Sequence, residues 1–215
     1  MLRRAFIVPI LIAAIPAAAV AAQETEPAAD SAEASRDTAR ATPRPAVTAI
    51  RIEGAIGPTT TNYVNRGLQR ARETGATALL VEMDTPGGLL ESTKNIVQAF
   101  LNADVPVIVY VSPDGARAAS AGTFITMAGH VAAMAPSTTI GAASPVTMGP
   151  GGGQTDSVMQ RKVFEYSESF IKSIAERRGR NEEWAISAVA EGEAVTASEA
   201  VELNVVDLVA ADREE

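Results

Sequence analysis

The sequence predicts an α/β domain of parallel βαβ units, on three observations. From Val47 onward, short apolar runs alternate with longer amphipathic stretches, the pattern left when helices cross over between parallel strands. Hydrophobic residues make up 47% of the chain and aromatics only 4%. The core is therefore Ala, Val, Ile and Leu, which suits tightly packed layers better than an aromatic-rich sandwich. The joints between runs collect Gly, Pro and Ser, and the 215 residues suffice for one domain with appendages.

In order, 47–54 (VTAIRIEG) reads as a strand and 59–74 as a helix with polar residues at its start. The run TALLVEMD (77–84) is a strand, 89–103 a helix, and VPVIVYV (105–111) is β-branched enough for a buried strand. The small-residue stretch 118–129 is predicted as a helix and 130–135 as a short strand. A longer helix over 156–178 follows, then helices over 182–190 and 198–203 and a last strand over 205–210. In parallel sheets of this kind, sites form beyond the carboxyl ends of the strands. That rule selects three loops: 84–88, 112–120 and 136–153.

The ends read differently. Arg3 and Arg4 precede an uncharged run from Ala5 to Ala22 that closes on Ala19-Val20-Ala21, the layout of a secretory signal peptide over 1–22. An uncleaved N-terminal anchor is the alternative, since about 18 apolar residues barely span a bilayer. Either reading places the rest outside the cytoplasm, on the periplasmic or extracytoplasmic side. Residues 23–46 mix Pro, Ala, Ser, Thr and charges without apolar periodicity and are expected to form a flexible linker. The domain proper is expected over 47–210, with 211–215 as a solvated tail.

Composition narrows the chemistry. A net charge of -8 argues against nucleic acid as a partner. With no cysteine and a single histidine, His130, neither a thiolate nor a His-rich metal site is available, and no cofactor or metal is expected. In the first loop, Asp84-Thr85-Pro86-Gly87-Gly88 turns sharply at a helix start, where bare N–H groups can hold an oxyanion. An ordinary βα turn reads the same way. In the second, Ser120 sits among Ala and Gly with little bulk above it, which fits either a nucleophile open to a substrate backbone or close helix packing. The third loop, glycine-rich towards its end, contains IGAASPV, which reads either as an edge for an extended peptide or as a covered edge.

A serine nucleophile needs a base. His130 lies ten residues beyond Ser120, about 15 Å along a continuous helix, and opens the next apolar run as structural histidines do. A lysine serves if apolar cover favours its neutral amine. Lys94 reads as solvated, and Lys172 as paired with Glu168 and Glu176. Lys162 has Met159, Val163 and Tyr166 beside it, yet lies away from the stripe of Phe164, Ile171, Ile174 and Ala175. Whether it is covered or exposed stays open on the sequence.

The segments EMDTPGGLLEST, VPVIVYVSPDGARAASAGTFITMAGHVAAMAPSTTIGAASPV, SFIKSIAERRGRN and AVTASEAVELNVVDLVA together resemble the membrane-bound serine proteases of the NfeD type, in the Clp-protease/crotonase superfamily. The resemblance runs from about Val47 to Ala210. It implies a ClpP/crotonase-like α/β fold of repeated ββα and βαβ units with flanking helices, and a Ser-Lys dyad endopeptidase. By the same resemblance Ser120 is the nucleophile, Lys162 the base, and Gly88 and Ala121 the oxyanion donors, with Gly87 supporting the turn. Relatives cut apolar segments of membrane proteins, notably of a stomatin-type partner, and form dimers. They usually continue into transmembrane helices and a small β-barrel, neither of which is expected within residues 211–215.

Three other readings compete. A signal-peptide-peptidase-like enzyme would place its lysine before the serine, where only Lys94 stands. A non-catalytic crotonase-fold module would hold an apolar tail without cutting it. Acyl-CoA chemistry on the same fold is disfavoured by export and by the lack of an acidic pair near the expected oxyanion site.

Overall fold

The computed structural model describes residues 46–146 and 157–215. The expected leader, the linker up to residue 45 and the glycine-rich part of the third loop lie outside them. In chain order the elements are β1 (Val47–Glu53), α1 (Pro58–Thr74), β2 (Ala78–Asp84), α2 (Leu90–Leu101), β3 (Val107–Val111), β4 (Arg117–Ala119) and α3 (Ala121–Ala128). They continue with β5 (Val131–Met134), β6 (Thr139–Gly141), α4 (Ser157–Arg178), α5 (Glu182–Ala190), β7 (Ala194–Thr196), α6 (Ala197–Glu202) and β8 (Leu208–Val209).

Five parallel strands form the main sheet in the order β1-β2-β3-β5-β8. Its registers set Ile50 beside Val81 and Val81 beside Val109, so β-branched side chains stack across the sheet on the face that the helices cover. Val64, Ile96, Phe100, Ile125, Ile171 and Ile174 fill that layer, because α1 to α4 each turn an apolar stripe inward. The opposite face is apolar too: Leu80, Tyr110, Ala133, Ala135 and Ala210 form a second cluster beside an open groove of about 600 Å³. Among the described residues no helix is long and apolar enough to cross a membrane.

A second sheet of three strands, β4-β6-β7, was not legible in the sequence. Here β4 and β6 run parallel, and β6 and β7 antiparallel. This sheet corrects the predicted helix over 118–129: the chain first runs extended through β4, and helix begins only at Ala121. The cause lies outside the segment. Thr85 N–H donates to Arg117 O at 2.8 Å, and Ala119 N–H donates to Thr85 O at 3.1 Å, so the backbone before Ser120 is claimed by the end of β2. The predicted strand over 205–210 also shortens to β8. Val205 and Val206 both donate to Ala200 O, which spends their N–H groups on closing α6.

One ion pair, buried on its arginine side and open to water at its aspartate, fastens the end of the chain to the core. The Arg180 guanidinium, 6% exposed, meets both carboxylate oxygens of Asp207 at 3.1 and 2.8 Å. Asp207 also accepts from Ala132 N–H at 2.6 Å, which joins the approach to β8 to β5.

Candidate active site

Ser120 is the hinge between β4 and α3, at φ 52 and ψ -111. A non-glycine residue in that conformation costs about 1–3 kcal/mol and persists only where its surroundings enforce it. Here Ser120 N–H donates to Gly141 O at 3.0 Å, and Thr123 N–H donates back to Ser120 O at 2.9 Å. The Thr123 hydroxyl adds bonds to Gly141 O at 2.8 Å and Ala118 O at 3.0 Å. Sharp strand-to-helix turns of this kind lift a nucleophile clear of its own backbone. The Ser120 side chain is half-buried and its hydroxyl has no hydrogen-bond partner among the described residues.

The Pro-Gly-Gly turn lies directly against it. A Cβ on Gly87, at φ 118, would stand 2.7 Å from Ser120 Cβ and 3.1 Å from its Oγ. On Gly88 it would collide with the backbone of Ile56. One glycine thus makes room for the serine and the other for the chain leaving β1. Ile56 N–H donates to Gly87 O and Leu89 N–H to Ile56 O, at 2.8 and 2.9 Å. Gly88 N–H is left without an acceptor among the described residues.

Ala121, the first residue of α3, has an N–H that no helical carbonyl can reach. The other two nearby amides are taken: Ser120 N–H by Gly141 O, and Gly87 N–H by the Thr85 hydroxyl at 3.1 Å. Gly88 and Ala121 therefore flank Ser120 with spare donors, at the positive end of a helix dipole.

The candidate bases are placed as follows. His130 sits past the far end of α3, where its Nδ1 accepts from Val107 N–H at 3.1 Å. Burial first, then Arg178 and Arg177, hold its proton affinity below the usual imidazole value. Lys94 is 3.9 Å from Glu91. Lys172 pairs with Glu182 at 3.9 Å, so the expected pairing along its own helix with Glu168 and Glu176 gives way to one across to α5.

Lys162 is exposed, as is every residue of 157–162, and it is not hydrogen-bonded to Ser120. Of the two readings left open by the sequence, the structure gives the exposed one, because Met159 and Tyr166 are themselves 55% and 42% exposed. The first turns of α4 stand clear of the layer that covers Ile171 and Ile174. The helix nevertheless aims Lys162 along a definite stripe. Lys162, Tyr166 and Phe170 repeat every four residues. Tyr166 stacks on Phe170 at 5.8 Å, and Phe170 stacks on Phe124 of α3 at 5.7 Å, one turn beyond Ser120.

Arg178 Nε, at the end of α4, donates to Ala128 O, at the end of α3. The two helices therefore run the same way, and Lys162 lies towards the Ser120 end. Ser144, a second serine in the third loop, is committed to Val189 O at 2.7 Å. Among the described residues no group of acidic or histidine side chains converges as a metal site requires.

A parallel α/β sheet joined to a small second sheet, with a strained serine between them and a Gly-Gly turn against it, defines a domain of the ClpP-like class. The chain belongs to the family described as the NfeD1b N-terminal domain, whose model matches residues 46–214. It is 38% identical over 164 residues to Membrane-bound protease PH1510 of Pyrococcus horikoshii, covering 75% of this chain and 36% of that one. It is 27% identical over 124 residues to Membrane protein NfeD1b of Bacillus subtilis, covering 58% and 28%. The chain thus spans about a third of the length of the curated relatives it matches.

Among solved structures, it resembles the 1510-N membrane-bound stomatin-specific protease in two forms. A lysine-to-alanine mutant in complex with a substrate peptide matches with a TM-score of 0.75 and 35% identity, over 80% of this chain and 78% of that one. A serine-to-alanine mutant matches with a TM-score of 0.73 and 35% identity, over 79% and 81%.

Proposed function

We propose that this domain is a serine endopeptidase in which Ser120 attacks a peptide carbonyl, neutral Lys162 takes its proton, and Gly88 and Ala121 N–H groups hold the oxyanion. Water then releases the acyl-enzyme. The observation that carries the reading is Ser120 itself, held at positive φ beside two backbone donors that the fold leaves unspent. The lysine has independent support. The serine and lysine mutated in the 1510-N protease stand 41 residues apart, against 42 between Ser120 and Lys162 here.

Exposure of Lys162 fixes one requirement: whatever binds over the start of α4 must supply the apolar cover that makes the neutral amine accessible. Exposed Leu89, next to Gly88, and exposed Met159 and Tyr166 suit an apolar peptide. A membrane-associated substrate of stomatin type is accordingly proposed, cut on the extracytoplasmic side by a homodimer or higher homo-oligomer without a cofactor. A second reading, a module that binds an apolar tail without cutting it, draws on the same exposure of Lys162.

Labelling with a fluorophosphonate separates the two. Ser120→Ala should fold normally and lose both labelling and hydrolysis of an apolar peptide. Lys162→Ala should be equally silent, and Lys162→Arg too, because guanidinium does not give up its proton. A wild-type protein that binds the peptide but is neither labelled nor active would establish the binding module instead. A dead Lys94→Ala beside an active Lys162→Ala would move the base to the signal-peptide-peptidase arrangement.

A further inference from the structure

We infer that Thr85 is a positioning residue that sets the distance between the two oxyanion donors; the inference rests on the serine-hydrolase reading above. Thr85 is fully buried and touches every segment that builds the hole. Its hydroxyl donates to Gly54 O at 2.7 Å and accepts from Gly87 N–H at 3.1 Å. Its methyl lies 2.7 Å from where a Cβ on Gly122 would stand. Its N–H and C=O straddle β4, bonding Arg117 O and Ala119 N–H.

Gly88 follows Gly87 by one peptide, and Ala121 precedes Gly122 by one. Each spare donor is therefore one residue from an atom that Thr85 holds. The hydroxyl locks the turn from below while the methyl sets how closely α3 approaches it. A displacement of about 1 Å between catalytic groups is enough to lose a large part of their effect, so this one side chain governs whether both N–H groups can meet a single oxygen.

Two substitutions separate the two halves of the side chain. Thr85→Val keeps the methyl and the volume but strands Gly87 N–H and Gly54 O. Thr85→Ser keeps the hydroxyl and removes the methyl that faces Gly122. The full chain is used throughout. The measurements are the rate of fluorophosphonate inactivation, kcat and KM on an apolar fluorogenic peptide, and thermal unfolding. Thr85→Val should lower kcat and the inactivation rate by about tenfold or more, less than deletion of a donor would cost, with KM little changed. Thr85→Ser should lose a few-fold in the same two quantities.

Labelling of Thr85→Val at the wild-type rate would overturn the inference. So would a loss that tracks only the fraction of folded protein. Should Thr85→Val fail to fold, Thr85→Ser decides: slower inactivation at unchanged KM supports the role, and an unchanged rate ends it. Wild-type protein that folds but neither labels nor turns over would mean that the hydrolase reading had failed, and this inference with it. A reactive wild type beside an equally reactive Thr85→Val removes this inference alone.

Discussion

At its amino end α3 carries a strained serine and an unspent N–H, whereas at its carboxyl end guanidinium groups close on the last carbonyls. Arg180 Nε reaches Met127 O at 3.2 Å and its terminal nitrogen Gly129 O at 3.4 Å, while Arg178 Nε takes Ala128 O at 2.8 Å. Both ends of any helix begin with orphan backbone groups. This fold spends two arginines on one end and leaves the other open, so the open end is not a failure of packing. Cations at a helix carboxyl terminus stabilise it, and α3 is anchored at that end while its amino end stays bare.

The largest expected effect comes from breaking the anchored end. Arg180→Ala leaves Asp207 and three carbonyls without their donor. Because the Asp207 side chain is 41% exposed, water screens the stranded carboxylate, and the loss should be about 1–3 kcal/mol, mostly from the unsatisfied carbonyls. Urea unfolding should show that loss. Labelling of Ser120 in the molecules that remain folded should persist if the two ends act separately.

A smaller and opposite effect is expected at the open end. Glycine tolerates the backbone that Ser120 adopts, so Ser120→Gly should be more stable than Ser120→Ala by about 1 kcal/mol, read as a higher melting temperature. Equal melting temperatures would mean that the turn stores no strain.

The smallest effect is one of pH. His130, just past the anchored end, has its proton affinity lowered in the folded protein by burial and then by Arg178 and Arg177. The unfolded chain binds that proton more readily, so the contribution is complete above the ordinary histidine value of about 6.5 and is lost as pH falls below it. Thermal unfolding should therefore weaken from pH 7 to pH 5, and His130→Asn should flatten that slope.

Much of the site is legible in the amino-acid sequence. Pro-Gly-Gly after an apolar run marks a turn wherever it occurs, and Ser120 between small residues announces open backbone. Lys162 can be named from the sequence but not placed: whether its neighbours cover it depends on how far α4 extends beyond α3, and no periodicity carries that. Thr85 escapes a reading of the sequence because a threonine before proline looks like ordinary turn chemistry. Its weight comes from Gly54, Arg117 and Gly122, which are distant along the chain.

By itself the sequence determined the helices and the strands of the main sheet, since apolar spacing is a local property that each of these longer elements carries along its own length. It also determined where the chain must turn, because glycine and proline constrain the backbone wherever they stand. Only the tertiary structure decided the second sheet, the amides left unspent at Gly88 and Ala121, and the exposure of Lys162. Strands of three residues have too few side chains to show a period and exist only through the neighbours that bond them. A free N–H is likewise what remains after every other acceptor has been assigned, and that assignment is made by the whole fold.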